Sequence, residues 1–144
     1  NMLEKFNIEK LYIVDPYEFY EDFGKRDSET QEKLPEAYHK AKKRLKRYKE
    51  KIVFIRKRSD DALKNVPKAD FIYIDGNHQY EFTKKDIKFY YQKVKKGGII
   101  GGHDYTNSPE TERENFGVFR AVNEFFKKKN KKIFFYGTDW FVVK

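Results

Sequence analysis

The sequence predicts an α/β fold: a mostly parallel sheet with helices on both faces and a C-terminal antiparallel hairpin. Three observations predict it. Short apolar runs alternate with longer amphipathic ones along the 144 residues, which is the pattern of βαβ units. The run Asp70-Phe-Ile-Tyr-Ile-Asp75 is apolar between its two carboxylates, as a strand buried on both faces should be. The chain closes with Ile133-Phe-Phe-Tyr-Gly-Thr-Asp-Trp-Phe-Val-Val143, two β-rich runs around a turn at Gly137-Thr-Asp139.

The elements follow in order. Leu11-Tyr-Ile-Val is a short strand stopped by Asp15 and Pro16. From about Pro35 to Glu50, Ala37, Ala41, Leu45 and Tyr48 recur at helical spacing among lysines and arginines, and Pro35 suits the first turn. Ile52 to Ile55 is the second strand. Ser59 to Val66 reads as a short helix capped by Ser59 or Asp60. After the strand ending at Asp75, a helix from Tyr80 to about Lys95 places Tyr80, Ile87, Tyr91 and Val94 on one side. Gly97 is read as its left-handed stop. Gly98 to Gly102 is a further buried strand. Asn107 to Asn115 is a polar loop, and Val118, Phe119, Val122, Phe125 and Phe126 mark the last helix. No repeat and no linker breaks the pattern, so residues 1–144 are read as one domain.

Composition narrows the function. Apolar residues are 38% of the chain but aromatic ones reach 18%, and large rings build a core efficiently. There is no cysteine, which excludes disulfides, thiolate metal sites and cysteine nucleophiles and fits a reducing cytoplasm. No apolar run is long enough to span a bilayer. The net charge of +9 is concentrated in Lys40–Lys51 and Lys127–Lys132. Such runs are either solvated faces or a surface for a polyanion.

In a parallel sheet with helical crossovers the carboxyl ends of the strands share one edge, where ligands bind. Here the first strand delivers Asp15, and the second is followed by Ser59 and Asp60. The third delivers Asp75 and His78, and the fourth His103 and Asp104. Helix capping accounts for Asp60 and competes for Asp15. The group Asp75, His78, His103 and Asp104 exceeds what capping needs. Its oxygen and nitrogen donors suit Mg²⁺ or Mn²⁺, with iron or zinc as alternatives. His78, three residues beyond Asp75, suits a general base. His39, between lysines, reads as a surface histidine, and Tyr105 as either a pocket wall or packing.

These residues resemble a known family. Asp70-Phe-Ile-Tyr-Ile-Asp-Gly-Asn-His-Gln-Tyr80 is similar to the fourth-strand motif of class I S-adenosylmethionine-dependent methyltransferases. The branch is that of macrolide sugar O-methyltransferases and cephalosporin hydroxylase-like proteins. Val94-Lys-Lys-Gly-Gly-Ile-Ile-Gly-Gly-His-Asp-Tyr105 resembles the fifth strand of that branch, and Gly117 to Phe126 its following helix. The resemblance implies a Rossmann-like fold and methyl transfer to a hydroxyl of a small, sugar-type substrate. It implies that Asp15 holds the ribose hydroxyls of S-adenosylmethionine, with Ser59 and Asp60 beside the adenine and Asp75 also at the cofactor. Asp75 and Asp104 correspond to ligands of a divalent metal such as magnesium, and His78 to the base. His103, a further candidate ligand, stands where some relatives carry Glu.

The family's first strand ends in a glycine-rich loop under the cofactor, and this chain has none. Asn1 to Phe6 reads as the end of the helix after that loop. The non-Met start fits an N-terminally incomplete domain lacking its first strand, whose absence would expose two unpaired edges. A partner chain could cover such an edge, making a homo-oligomer. Two other functions compete: a methyltransferase-like binding module without catalysis, and an RNA-directed methyltransferase, for which the basic runs speak.

Overall fold

The computed structural model describes residues 2–18, 33–108 and 117–144. The polar loop expected at Asn107–Asn115 falls largely outside the described residues. The chain is an α/β protein that separates into two compact units, residues 1–65 and 66–144.

The first unit carries α1 (Met2–Lys5), β1 (Leu11–Val14), α2 (Leu34–Arg44), β2 (Ile52–Ile55) and α3 (Ser59–Ala62). The strands β1 and β2 pair in parallel, Leu11 opposite Ile52 and Val14 opposite Ile55. The basic helix expected to Glu50 ends at Arg44 and continues as a 3₁₀ turn over Lys46–Tyr48. Tyr48 donates to Glu4 at 2.7 Å, which draws the Glu4 carboxyl below its usual range and ties the turn to α1. No residue of α2 is buried, so its lysines lie on an exposed face. The Tyr38 ring on α2 packs edge-on against Phe54 of β2 and against Tyr17.

The second unit carries β3 (Ala69–Ile74), α4 (Tyr80–Lys93), β4 (Val94–Gly102), α5 (Val118–Lys127), β5 (Phe134–Tyr136) and β6 (Asp139–Val143). Its sheet runs β3-β4-β6-β5. The β3–β4 pair is parallel, and β6 lies antiparallel to both β4 and β5. The expected C-terminal hairpin is therefore present, with Gly137 in the left-handed region at φ 58° and Gly first in a two-residue loop.

The core of this unit lies between one sheet face and two helices. Val118, Ala121, Val122 and Phe126 form the buried stripe of α5. They meet Ile87 of α4, Ile100 of β4, and Trp140 and Val142 of β6, each no more than 1% exposed. Each such side chain contributes roughly 1.5–3 kcal/mol through burial.

Three expectations are corrected. First, β3 is not buried on both faces: Phe71 and Tyr73 are 44% and 42% exposed. They share their face with Ile99 and Val143, also exposed, while α4 and α5 occupy the opposite side. Large apolar side chains are common on protein surfaces, so an apolar run does not by itself specify two covered faces. Second, the buried stripe of α4 is Thr83, Asp86, Ile87 and Tyr90. Two of these are polar, because this side of the helix faces the polar loop after β3. Third, Gly97 does have φ 77°, but α4 has already ended at Lys93. The glycine sits in a bulge of β4, where Val94 to Ile99 lies opposite Ala69 to Phe71. A bulge uses the same left-handed freedom as a helix cap.

Side chains are excluded at the end of β4. A Cβ on Gly102 would strike the Ile74 carbonyl and come within 2.9 Å of the Trp140 indole nitrogen. Gly102→Ala is expected to lower stability by about 1–3 kcal/mol through overpacking. Gly76→Ala, whose Cβ meets only Asp86 at 3.7 Å, is expected to cost much less. Urea unfolding of the two variants checks the difference.

Candidate active site

In the first unit the carboxyl edge of β1 presents Asp15. The Asp15 N–H donates to the Ile55 carbonyl at 3.2 Å, which fixes the carboxylate at the end of the paired strands. The Tyr17 N–H donates to Asp15 Oδ1 at 2.6 Å. This turn closes with Tyr17 in the left-handed region, φ 50°. Burial pushes the Asp15 carboxyl above its usual range, and the Tyr17 bond offsets only part of that.

Ser59 and Asp60 open α3, after β2. The N-cap position of that helix is Arg58, which makes no side-chain capping bond, rather than the expected Ser59 or Asp60. The Asp60 carboxylate instead accepts from the Asp61 N–H and lies 3.7 Å from Arg58.

In the second unit the segment after β3 is fixed by its backbone. The Gln79 N–H donates to Asn77 Oδ1 at 2.9 Å, an Asx turn leading into α4. Buried Thr83 donates to the Asn77 carbonyl. The Gly117 N–H donates to the His78 carbonyl at 2.7 Å. Gly117 has no side chain because Tyr80 backbone atoms fill that space. The start of α5 thereby holds His78 in place.

At the end of β4 the His103 N–H still donates to Ile74, at 3.1 Å. The chain then kinks at Asp104, φ 58°. A non-glycine residue rarely takes that conformation, Asp and Asn being the usual exceptions. The kink turns the Asp104 carboxylate toward both histidines. His78 Nε2 lies 2.8 Å from Asp104 Oδ2 and 3.6 Å from Asp75 Oδ1. The shorter approach does not have the geometry of a linear hydrogen bond. His103 Nδ1 lies 3.2 Å from the same Asp104 oxygen.

Asp75, His78 and Asp104 each offer a ligand atom within 4.8 Å of the others. His103 stands beside this group rather than in it. Its Nε2 is 2.9 Å from Thr138 Oγ1, so both ring nitrogens face protein partners. The bond to Asp104 holds the His103 imidazole pKa above its ordinary value. A small pocket lined by Ile74, Gly76, His78, His103, Val118 and Trp140 lies next to the group.

Sequence reasoning missed three residues of this neighbourhood. Thr138 reaches His103. Asp139, at the start of β6, accepts a bond from the Tyr73 hydroxyl. Burial first, then that bond and the nearby Asp75 and Asp104 charges, drive the Tyr73 hydroxyl far above its usual pKa. The Gly137-Thr-Asp139 signal was legible only as a turn. Nothing in the spacing places that turn beside residue 103. Tyr105 packs on Phe119 and Phe135 and its hydroxyl accepts from Asn123, so packing accounts for it. His39 is exposed, as expected.

A family model described as a methyltransferase domain matches residues 1–105. An uncharacterized protein, R132, of Acanthamoeba polyphaga mimivirus is 40% identical over 58 residues, 38% of this chain and 23% of that protein. Among solved structures, the O-methyltransferase NovP has a TM-score of 0.63 at 17% identity, covering 94% of this chain and 60% of its own. A Staphylococcus aureus protein proposed to be a caffeoyl-CoA O-methyltransferase has a TM-score of 0.59 at 17% identity, covering 74% and 59%. The chain thus spans about three-fifths of the length of both structures, and at these identities the likeness shows the fold. With the family model covering most of its length and the fold agreeing, the chain belongs to the class I methyltransferase family that its strand-end motifs resemble.

Proposed function

We propose that this protein transfers the methyl group of S-adenosylmethionine to a hydroxyl of a small, sugar-type substrate, assisted by a divalent cation such as Mg²⁺. The observation that carries the reading is the convergence of Asp75, His78 and Asp104 at one strand edge in a chain of this family. The fold likeness to NovP, an O-methyltransferase, favours oxygen as the acceptor atom.

The donor set fits a hard cation: two carboxylates and an imidazole, with ligand atoms within 4.8 Å of one another. The Asp75 and Asp104 carboxylates would hold it, and it would supply the Lewis acidity that lowers the acceptor hydroxyl's pKa. S-adenosylmethionine supplies, when bound, a methyl group already made electrophilic by its sulfonium. His78 takes the acceptor's proton, and the Asp104 and Asp75 carboxylates, 2.8 Å and 3.6 Å from its Nε2, stabilise the imidazolium that forms. In the first unit Asp15 serves the ribose hydroxyls as a hydrogen-bond acceptor, with Ser59 and Asp60 assigned to the adenine.

The exposed basic face of α2, with Lys40, Lys42, Lys43 and Arg44 and no buried residue, favours RNA as a second acceptor class. RNA binding that weakens steeply with salt would support it. Salt-insensitive or absent binding would remove it.

His78→Ala is expected to lower turnover by about 10²–10⁴-fold, the range for losing a general base, while S-adenosylmethionine affinity stays unchanged. Steady-state kinetics beside calorimetric titration of the cofactor separates the two. Chelation with EDTA is expected to abolish transfer, and full activity in EDTA would take the cation out of the reaction.

A second expectation concerns Asp15. Its folded-state pKa is raised, so ionisation costs stability at neutral pH, and the native state gains relative to the unfolded one only as the carboxyl is protonated. Asp15→Asn is therefore expected to melt higher than the natural protein at pH 7. The gap should shrink as pH falls through the raised folded-state pKa and close below the unfolded carboxyl pKa of about 3.9. The same variant should bind S-adenosylmethionine more weakly. Thermal melts across that pH range, with cofactor titration at pH 7, test both halves.

A further inference from the structure

The turn between β5 and β6 is fastened to the strand ends that carry the active group. Thr138 accepts, through its carbonyl, the Tyr105 N–H at 2.8 Å. Its neighbour Asp139 accepts the Tyr73 hydroxyl. The Thr138 hydroxyl itself lies 2.9 Å from His103 Nε2. Across the same ring, His103 Nδ1 lies 3.2 Å from Asp104 Oδ2, the oxygen that His78 Nε2 approaches at 2.8 Å.

A carboxylate only accepts hydrogen bonds, so the proton of a neutral His103 belongs on Nδ1. Nε2 is then an acceptor, and the Thr138 hydroxyl is the donor that meets it. We propose that Thr138 is a positioning residue, whose hydroxyl fixes the ring of His103 and, through that ring, the Asp104 carboxylate shared with His78.

The inference rests on the functional reading above for its purpose, though not for its geometry. It assigns His103 to orientation rather than to ligation, since Nδ1 meets Asp104 Oδ2 and Nε2 meets Thr138 Oγ1, so both ring nitrogens are engaged by protein partners. A partner that orients a ligating carboxylate typically changes metal affinity by 10–100-fold when removed. Thr138 is exposed, so replacing it with the near-isosteric valine should not disturb the core.

The test uses the full chain and three proteins: the natural one, Thr138→Val and Thr138→Ser. Imidazole ¹⁵N spectra at alkaline pH, where the rings are neutral, report the tautomer of His103. The expected result is the Nδ1–H form in the natural protein and in Thr138→Ser. In Thr138→Val the Nε2–H form favoured by free imidazole should grow. Titration with Mn²⁺ alone is expected to show about tenfold weaker binding in Thr138→Val, restored in Thr138→Ser. An unchanged His103 tautomer in Thr138→Val overturns the proposal, whatever the metal result. A natural protein that binds no Mn²⁺ but shows the tautomer shift would defeat the metal reading of the site and leave the positioning role of Thr138 standing.

Discussion

Trp140 fills the space that a side chain at Gly102 would need, and the second unit is organised around that contact. The indole lies against the bare backbone at the end of β4 and reaches the Phe126 ring of α5 at 5.7 Å on its other side. With no Cβ at Gly101 or Gly102, β6 can lie flat along β4, Gly102 opposite Trp140. The register then leaves no freedom for the turn, which falls at the point where β4 gives way to His103 and Asp104. One close approach therefore settles the core and decides which turn stands beside the strand-end residues.

Charge sets the second constraint. Asp75 and Asp104 end neighbouring strands, so two like charges share one edge, which favours positive charge between them. His78 Nε2 lies within reach of both carboxylates, and the left-handed turn at Asp104 is the backbone adjustment that brings that carboxylate to it. Such conformations persist only where the surroundings over-determine them. Here the His103 bond to Ile74 on one side and the Tyr105 bond to Thr138 on the other do so. A cluster held this way favours positive charge near the two carboxylates, whether a cation or an imidazolium.

Elements and site residues were legible in the sequence to different degrees, for physical reasons. The strands were legible because their apolar runs are short and bounded by Asp, Pro and Gly, and β2 falls at Ile52–Ile55 as read. Which faces they bury was not. The composition of β3 is the same whether Phe71 and Tyr73 are covered or open, because alternation disappears when both sets are apolar. Gly97 carried a true signal, a left-handed backbone, with two structural uses that sequence does not separate. The Asp75, His78 and Asp104 group was legible because all three follow strands, and strand ends in parallel sheets converge. Thr138 was not, because it lies on the antiparallel return and its place depends on the β4–β6 register. That register follows from the Gly102–Trp140 contact rather than from local pattern.

The groups assigned to chemistry share one property: each sits on, or a few residues beyond, the end of a strand, and three of them are held by backbone bonds. Asp15 is bound to Ile55, His103 to Ile74, and the carbonyl of His78 to Gly117. Groups held this rigidly suit a reaction in which positioning supplies much of the rate. They are poorly suited to choosing among acceptors, which usually falls to loops that can vary without disturbing the sheet. The family's motifs therefore resemble this chain most closely at residues 70–105, where transfer would be performed. The same separation explains why the strand ends identify a methyl-transfer fold while leaving the acceptor to segments with no comparable motif.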